Sequence, residues 1–92
     1  MSFTLSTMTR LRTRHGEAQT LAKLFGKRLC EAQEMRDMKT EPLARATGIG
    51  LRLVQKHRNG EHLPTQDNLF RYSRALDFPV PWFFQEDEAD AA

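Results

Sequence analysis

The sequence predicts an all-α fold: a compact bundle of five helices behind an N-terminal arm. Three observations carry that prediction. The chain has 92 residues, a length that suits one domain and excludes a self-contained two-domain enzyme. From about residue 17 to residue 84, apolar side chains recur at three- and four-residue steps, the period of helices that bury one face. Glycines, prolines and capping residues punctuate the same stretch at short intervals. The expected division is an arm over 1–16, a helical domain over 17–84 and an acidic tail over 85–92.

Residues 1–16 alternate Thr4, Thr7, Thr9 and Thr13 with Leu5, Met8, Leu11 and arginines. Threonine favours extended backbone, so this segment is either a flexible arm or a short strand. From about Glu17 to Arg36, Leu21, Leu24, Phe25, Leu29 and Ala32 mark the inner face of a first helix. Lys23, Lys27, Arg28, Glu31 and Glu34 belong on its wet face. Residues 37–39 break it.

A second, short helix fits Thr40–Thr47, with Thr40 as cap and Pro42 in the first turn, where a missing N–H does no harm. Gly48 stops it in the left-handed conformation, and Ile49 is buried beside the turn. A third helix runs from about Gly50 to Arg58 and ends at Asn59-Gly60. Thr65 caps a fourth, whose inner face carries Leu69, Tyr72, Ser73 and Leu76. Pro79 and Pro81 mark the next turn, and Pro81 opens a short fifth helix with Trp82, Phe83 and Phe84.

Composition narrows the function. Hydrophobic residues make up 39% and charged residues 28%, an ordinary globular balance. No apolar run approaches the roughly 20 residues of a membrane span. Met1–Arg14 lacks the apolar core of a secretion signal. The single Cys30 fits a reducing compartment, so a cytoplasmic location is expected. All 14 basic residues lie between Arg10 and Arg74, and four of the 12 acids lie in the last seven residues. The eight remaining acids leave the body at +6, which suits a polyanionic partner. His15, His57, His62 and Cys30 match no zinc spacing. No nucleophile–base set or phosphate loop stands out, so neither an enzyme nor a cofactor is expected.

The stretch from Leu43 to Gln55 reads as a helix–turn–helix. Ala44 is small where two helices cross, Gly48 turns left-handed, and Ile49 and Val54 plug the space between them. Phe25-Gly26-Lys27-Arg28-Leu29 before it, and Asn59-Gly60, Leu63-Pro64, Leu69, Tyr72-Ser73, Leu76 and Val80–Phe84 after it, extend the match over about Leu24–Phe84. In this span the chain resembles the phage Cro and lambda-repressor-like (XRE-type) helix-turn-helix family.

The resemblance implies a five-helix domain whose third helix enters the DNA major groove, usually in a homodimer. Gly50 stands where the family often has a serine cap. The family also commonly pairs an arginine of the first helix with a glutamate near the end of the third; here those positions hold Gln33 and Arg58. Either Gln33 accepts a hydrogen bond from Arg58, or Arg58 swings out to a phosphate.

On the third helix, Leu51, Arg52, Gln55 and Lys56 are the candidates for base contact. Arg suits guanine, Gln suits adenine, and Leu51 suits a thymine methyl; Leu53, Val54 and His57 are expected to pack inward or at the edge. Lys39, Thr40, Arg58, Asn59 and Gly60 are candidate backbone contacts. Arg10, Arg12 and Arg14 either track phosphate or form a solvated basic terminus. Phe70, Phe78 and Trp82 either fill a bulky core or form a two-fold contact.

The expected function is a small transcriptional regulator of the phage or plasmid type, a repressor binding a pseudo-palindromic operator as a homodimer. The alternative is an antitoxin-type module, or another module built to bind a protein partner such as a toxin or an antirepressor.

Overall fold

A computed structural model describes residues 14–85. The chain there folds as four α-helices, α1 (Arg14–Arg36), α2 (Thr40–Thr47), α3 (Leu51–Arg58) and α4 (Gln66–Leu76), closed by a 3-10 turn at Val80–Phe84. Among the described residues there is no strand. The expected fifth helix is this 3-10 turn. It is five residues long and its bonds run over three residues, Trp82 N to Pro79 O at 2.9 Å and Gln85 N to Trp82 O at 3.3 Å. The arm's Arg10 and Arg12 and the acidic tail lie outside the described residues. Arg14, expected in the arm, belongs to the first turn of α1.

α1 is the spine. It packs against α3, α4 and the 3-10 turn, while α2 packs on α3 and α4. Its buried row is Ala22, Phe25, Leu29 and Ala32, spaced to fall on one side of a 3.6-residue helix. Leu21, expected inward, stands exposed at the edge of that row. Leu43, Ile49, Val54, Tyr72, Leu76 and Phe83 complete the core. Burying each large side chain contributes roughly 1.5–3 kcal/mol.

Local chemistry ends each helix. Three close in the same way, with two N–H groups folding back on the last carbonyls. α1 does so at Asp37, where Met38 N donates to Gln33 O at 2.9 Å and Asp37 N to Glu34 O at 3.1 Å. α3 does so at Gly60, through Glu61 N to Lys56 O at 3.0 Å and Gly60 N to His57 O at 3.2 Å. α4 does so at Asp77, through Phe78 N to Ser73 O at 3.2 Å and a bond from the Asp77 N–H to Ser73 O. Asp37 (φ 53°) and Asp77 (φ 60°) thus hold left-handed positions that glycine occupies more cheaply. α2 ends at Gly48, with φ 77°. Thr65 caps α4 as expected, accepting from Asn68 N at 3.2 Å.

Three arginines tie elements together by donating to main-chain carbonyls. Arg28 Nε reaches Trp82 O at 3.1 Å. Arg36 Nε reaches Leu76 O at 2.7 Å and its Nη2 reaches Asp77 O at 2.9 Å. Arg71 Nη1 reaches Thr47 O at 3.0 Å. Arg28, expected on the wet face of α1, is therefore half-buried, with its guanidinium 3.8 Å from the centre of the Trp82 ring. Cation–π attraction outweighs full hydration at this site.

Candidate nucleic-acid interface

α2, the turn Gly48-Ile49-Gly50 and α3 form one unit. α2 begins one residue earlier than a Thr40 cap would require. Lys39 holds the extended cap conformation (φ −79°, ψ 172°) without a side-chain cap bond, and its carbonyl accepts from Leu43 N at 3.0 Å. Thr40 is instead the first helical residue. Its hydroxyl lies 3.4 Å from Gln33 Nε2. In the turn, the buried Thr47 hydroxyl lies 2.9 Å from Leu43 O and accepts from Ile49 N at 3.2 Å. This device lets a threonine sit buried at a helix end. Gly50 caps α3 in extended conformation, with no side-chain cap bond.

α3 is amphipathic in the strict sense. Val54 and His57 are buried, while Arg52 and Gln55 are exposed on the opposite side. Lys56 is half-buried and Leu51 is exposed at one flank. Leu53, expected inward or at the edge, is exposed at 37%.

What holds α3 down is unusual in two respects. His57 is a core residue. Its Nδ1 accepts from the Tyr72 hydroxyl at 2.6 Å, and its ring stands edge-on to Tyr72, centroids 5.5 Å apart. Burial, helped by the nearby His62, lowers its pKa to about 4, so it is neutral at pH 7 and able to accept. Burial also pushes the Tyr72 phenol up, keeping the donor protonated. The second respect is Gly26 of α1, whose missing side chain lets the two helices touch backbone to backbone. A Cβ at Gly26 would lie 2.7 Å from Arg58 O and 2.8 Å from His57 O.

The candidate backbone contacts gather at the two ends of this unit. Lys39 and Thr40 lie at the N-terminus of α2; Arg58, Asn59 and Gly60 lie at the C-terminus of α3. Lys39, Thr40 and Arg58 line one cavity between α1, α2 and α3. Asn59 is exposed and donates to Glu61 Oε2 at 3.2 Å. Gln33 does not accept from Arg58: its Nε2 donates to Met38 O at 3.0 Å, and both its Oε1 and Arg58 Nε are buried without a partner.

Of the candidate two-fold contacts, Phe78 and Trp82 come together, stacked with centroids 4.0 Å apart. Arg36 stands over the Phe78 ring at 4.2 Å and Arg28 over Trp82, so the chain's own guanidinium groups cover part of this pair. Phe70 is separate, on α4, and 58% exposed. Among the described residues no group of His, Cys, Asp and Glu could hold a metal ion, and no helix is long and apolar enough to cross a membrane. Sequence reasoning missed Gly26 as a contact with α3, and it missed the carbonyl-gripping roles of Arg28, Arg36 and Arg71.

Compared with known proteins, the chain matches no family model, no curated protein and no solved structure.

Proposed function

We propose that this protein is a sequence-specific DNA-binding regulator of the lambda-repressor-like helix-turn-helix kind. It acts in the cytoplasm as a repressor, binding a pseudo-palindromic operator as a homodimer. The observation that carries the reading is α3: Arg52 and Gln55 project from one side, and the opposite side is locked by Val54, His57 and the close approach to Gly26. A rigid helix that offers a fork donor and an amide to the outside suits direct reading of base edges. Its eight residues span about 12 Å, the width of the major groove. In a homodimer the two α3 helices would lie about one DNA turn apart, near 34 Å.

Selection from a pool of random duplexes, followed by fluorescence anisotropy on the enriched site and a scrambled control across a salt series, tests the reading. A palindromic site bound in preference to the scrambled duplex at physiological salt is the expected result. Arg52→Ala then weakens binding to that site by about 1–3 kcal/mol and relaxes the preference at one base pair per half-site. Equal, salt-sensitive binding to every duplex would mean that only a basic surface exists.

A further inference from the structure

The chain's single thiol, Cys30, is half-buried and opens on a cavity between α1, α2 and α3. The cavity holds about 250 Å³. Its α1 wall is one stripe of the helix, Cys30, Gln33, Glu34 and Asp37, and Lys39 and Arg58 complete it. Two observations set this cysteine apart. Gln33 is only 6% exposed, and while its Nε2 donates to Met38 O, its Oε1 has no donor. Buried acceptors are seldom left so, and this one calls for an N–H that the chain does not supply. Around it stand four unspent charges: among the described residues no ion pair uses Glu34, Asp37, Lys39 or Arg58. Two acids beside two bases suit a ligand that carries both signs.

We infer that Cys30 is a modification site for a small peptide disulfide bearing both ammonium and carboxylate groups, and, on the DNA-binding reading above, that the adduct switches off duplex binding. The step is thiol–disulfide exchange. Cys30 gives up its proton, and its Sγ attacks one sulfur of the incoming disulfide. That S–S bond breaks as the new one forms. The departing half leaves as a thiolate and takes up a proton. Cys30 is thereby oxidised and the departing half reduced, with no further electron carrier. In the adduct, the ammonium is set toward Glu34 and Asp37 and the carboxylates toward Lys39 and Arg58, while a peptide N–H is the donor that Gln33 Oε1 lacks. Lys39 and Arg58 are then occupied, and an adduct of net negative charge repels a phosphate backbone.

Glutathione disulfide tests this on the whole chain, with adduct formation at Cys30 followed by mass spectrometry. Cystamine, which carries ammonium groups only, and dithiodipropionate, which carries carboxylates only, are run in parallel. Each rate on the folded chain is divided by the rate on the urea-unfolded chain. The ratio is expected to be severalfold higher for glutathione disulfide than for either other probe. Glu34→Gln and Lys39→Gln, both at exposed positions, should each lower it. One ratio for all three probes, or no adduct on the folded chain, overturns the site.

Anisotropy on the selected duplex tests the switch. The glutathione adduct is expected to bind about tenfold more weakly, as for one charge-assisted hydrogen bond lost, and dithiothreitol should restore binding. Cys30→Ser should bind as the wild type does and ignore the disulfide. An adduct of full affinity overturns the switch while leaving the regulator reading intact. Failure of the unmodified chain to bind any duplex overturns that reading and the switch with it, and the exchange rates still decide the site.

Discussion

Replacing Gly26 by alanine sets two opposing energies against each other. Glycine in a helix interior is about 1 kcal/mol worse than alanine, so propensity alone predicts a more stable protein. The new Cβ, however, would stand 2.7 Å from Arg58 O, 2.8 Å from His57 O and 3.1 Å from Gly60 N. Carbon–oxygen contacts of this kind settle at about 3.3–3.6 Å, so α1 and the end of α3 must part by roughly 0.6 Å. All three obstacles are main-chain atoms, and no rotamer change relieves them. Overpacking costs typically about 1–3 kcal/mol, and two backbone clashes put this site at the upper end. The net expectation is a loss of about 2 kcal/mol, or roughly 10 °C in Tm for a domain of this size. Urea and thermal denaturation read the stability. Anisotropy below the transition reads whether the shifted α3 also loses specific affinity. A Gly26→Ala protein as stable as the wild type or more so would refute the argument, because propensity would then outweigh contact.

Other consequences follow from the core and the helix ends. His57 has its folded pKa depressed to about 4 against an unfolded value near 6.5. The unfolded chain therefore takes the proton first: stability is full above pH 6.5 and is lost as pH falls from there toward 4. Between pH 7 and pH 5 the expected loss is about 2 kcal/mol, visible as a lower urea midpoint, and a flat midpoint over that range contradicts it. Tyr72→Phe leaves His57 Nδ1 without its donor, so it should cost about 1–3 kcal/mol; the His57 titration followed by NMR should also move upward, since the bond lost favoured the neutral ring. Asp77→Gly should stabilise by up to about 1 kcal/mol, because it relieves a left-handed non-glycine residue and removes a negative charge from a helix C-terminus. A Tm at or below the wild-type value would show that the greater freedom of glycine in the unfolded chain dominates.

Much of the fold was legible where chemistry is local. Gly48, Thr65 and Pro81 announce themselves because a left-handed turn, a side-chain cap and a fixed φ each demand a particular residue type. The outward setting of Arg52 and Gln55 followed from periodicity once Val54 was placed inside. The rest was hidden for identifiable reasons. Asp37 and Asp77 occupy positions where the usual signal is glycine. Thr40 can serve as cap or as first helical residue, and only the backbone angles of Lys39 separate the two. A Gln33–Arg58 bond was one of two alternatives the pairing left open; it does not form, because the side chain of Gln33 is turned by its Nε2 bonds to Met38 O and the Thr40 hydroxyl, and Oε1 stays without a donor. The bonds from Arg28, Arg36 and Arg71 join residues 54, 40 and 24 positions apart, and their acceptors are carbonyls, which carry no trace in the side-chain sequence.

Those acceptors also make the fold's tolerance to substitution lopsided. Every residue type offers a carbonyl, so the exposed Asp77 can change identity and still present the oxygen that Arg36 holds. On the arginine side there is no such latitude: lysine carries the charge but not the fork, and it cannot hold two successive carbonyls as Arg36 does. In an exhaustive substitution library, Arg36 would then stand out as intolerant while Asp77, across the bond, varies widely.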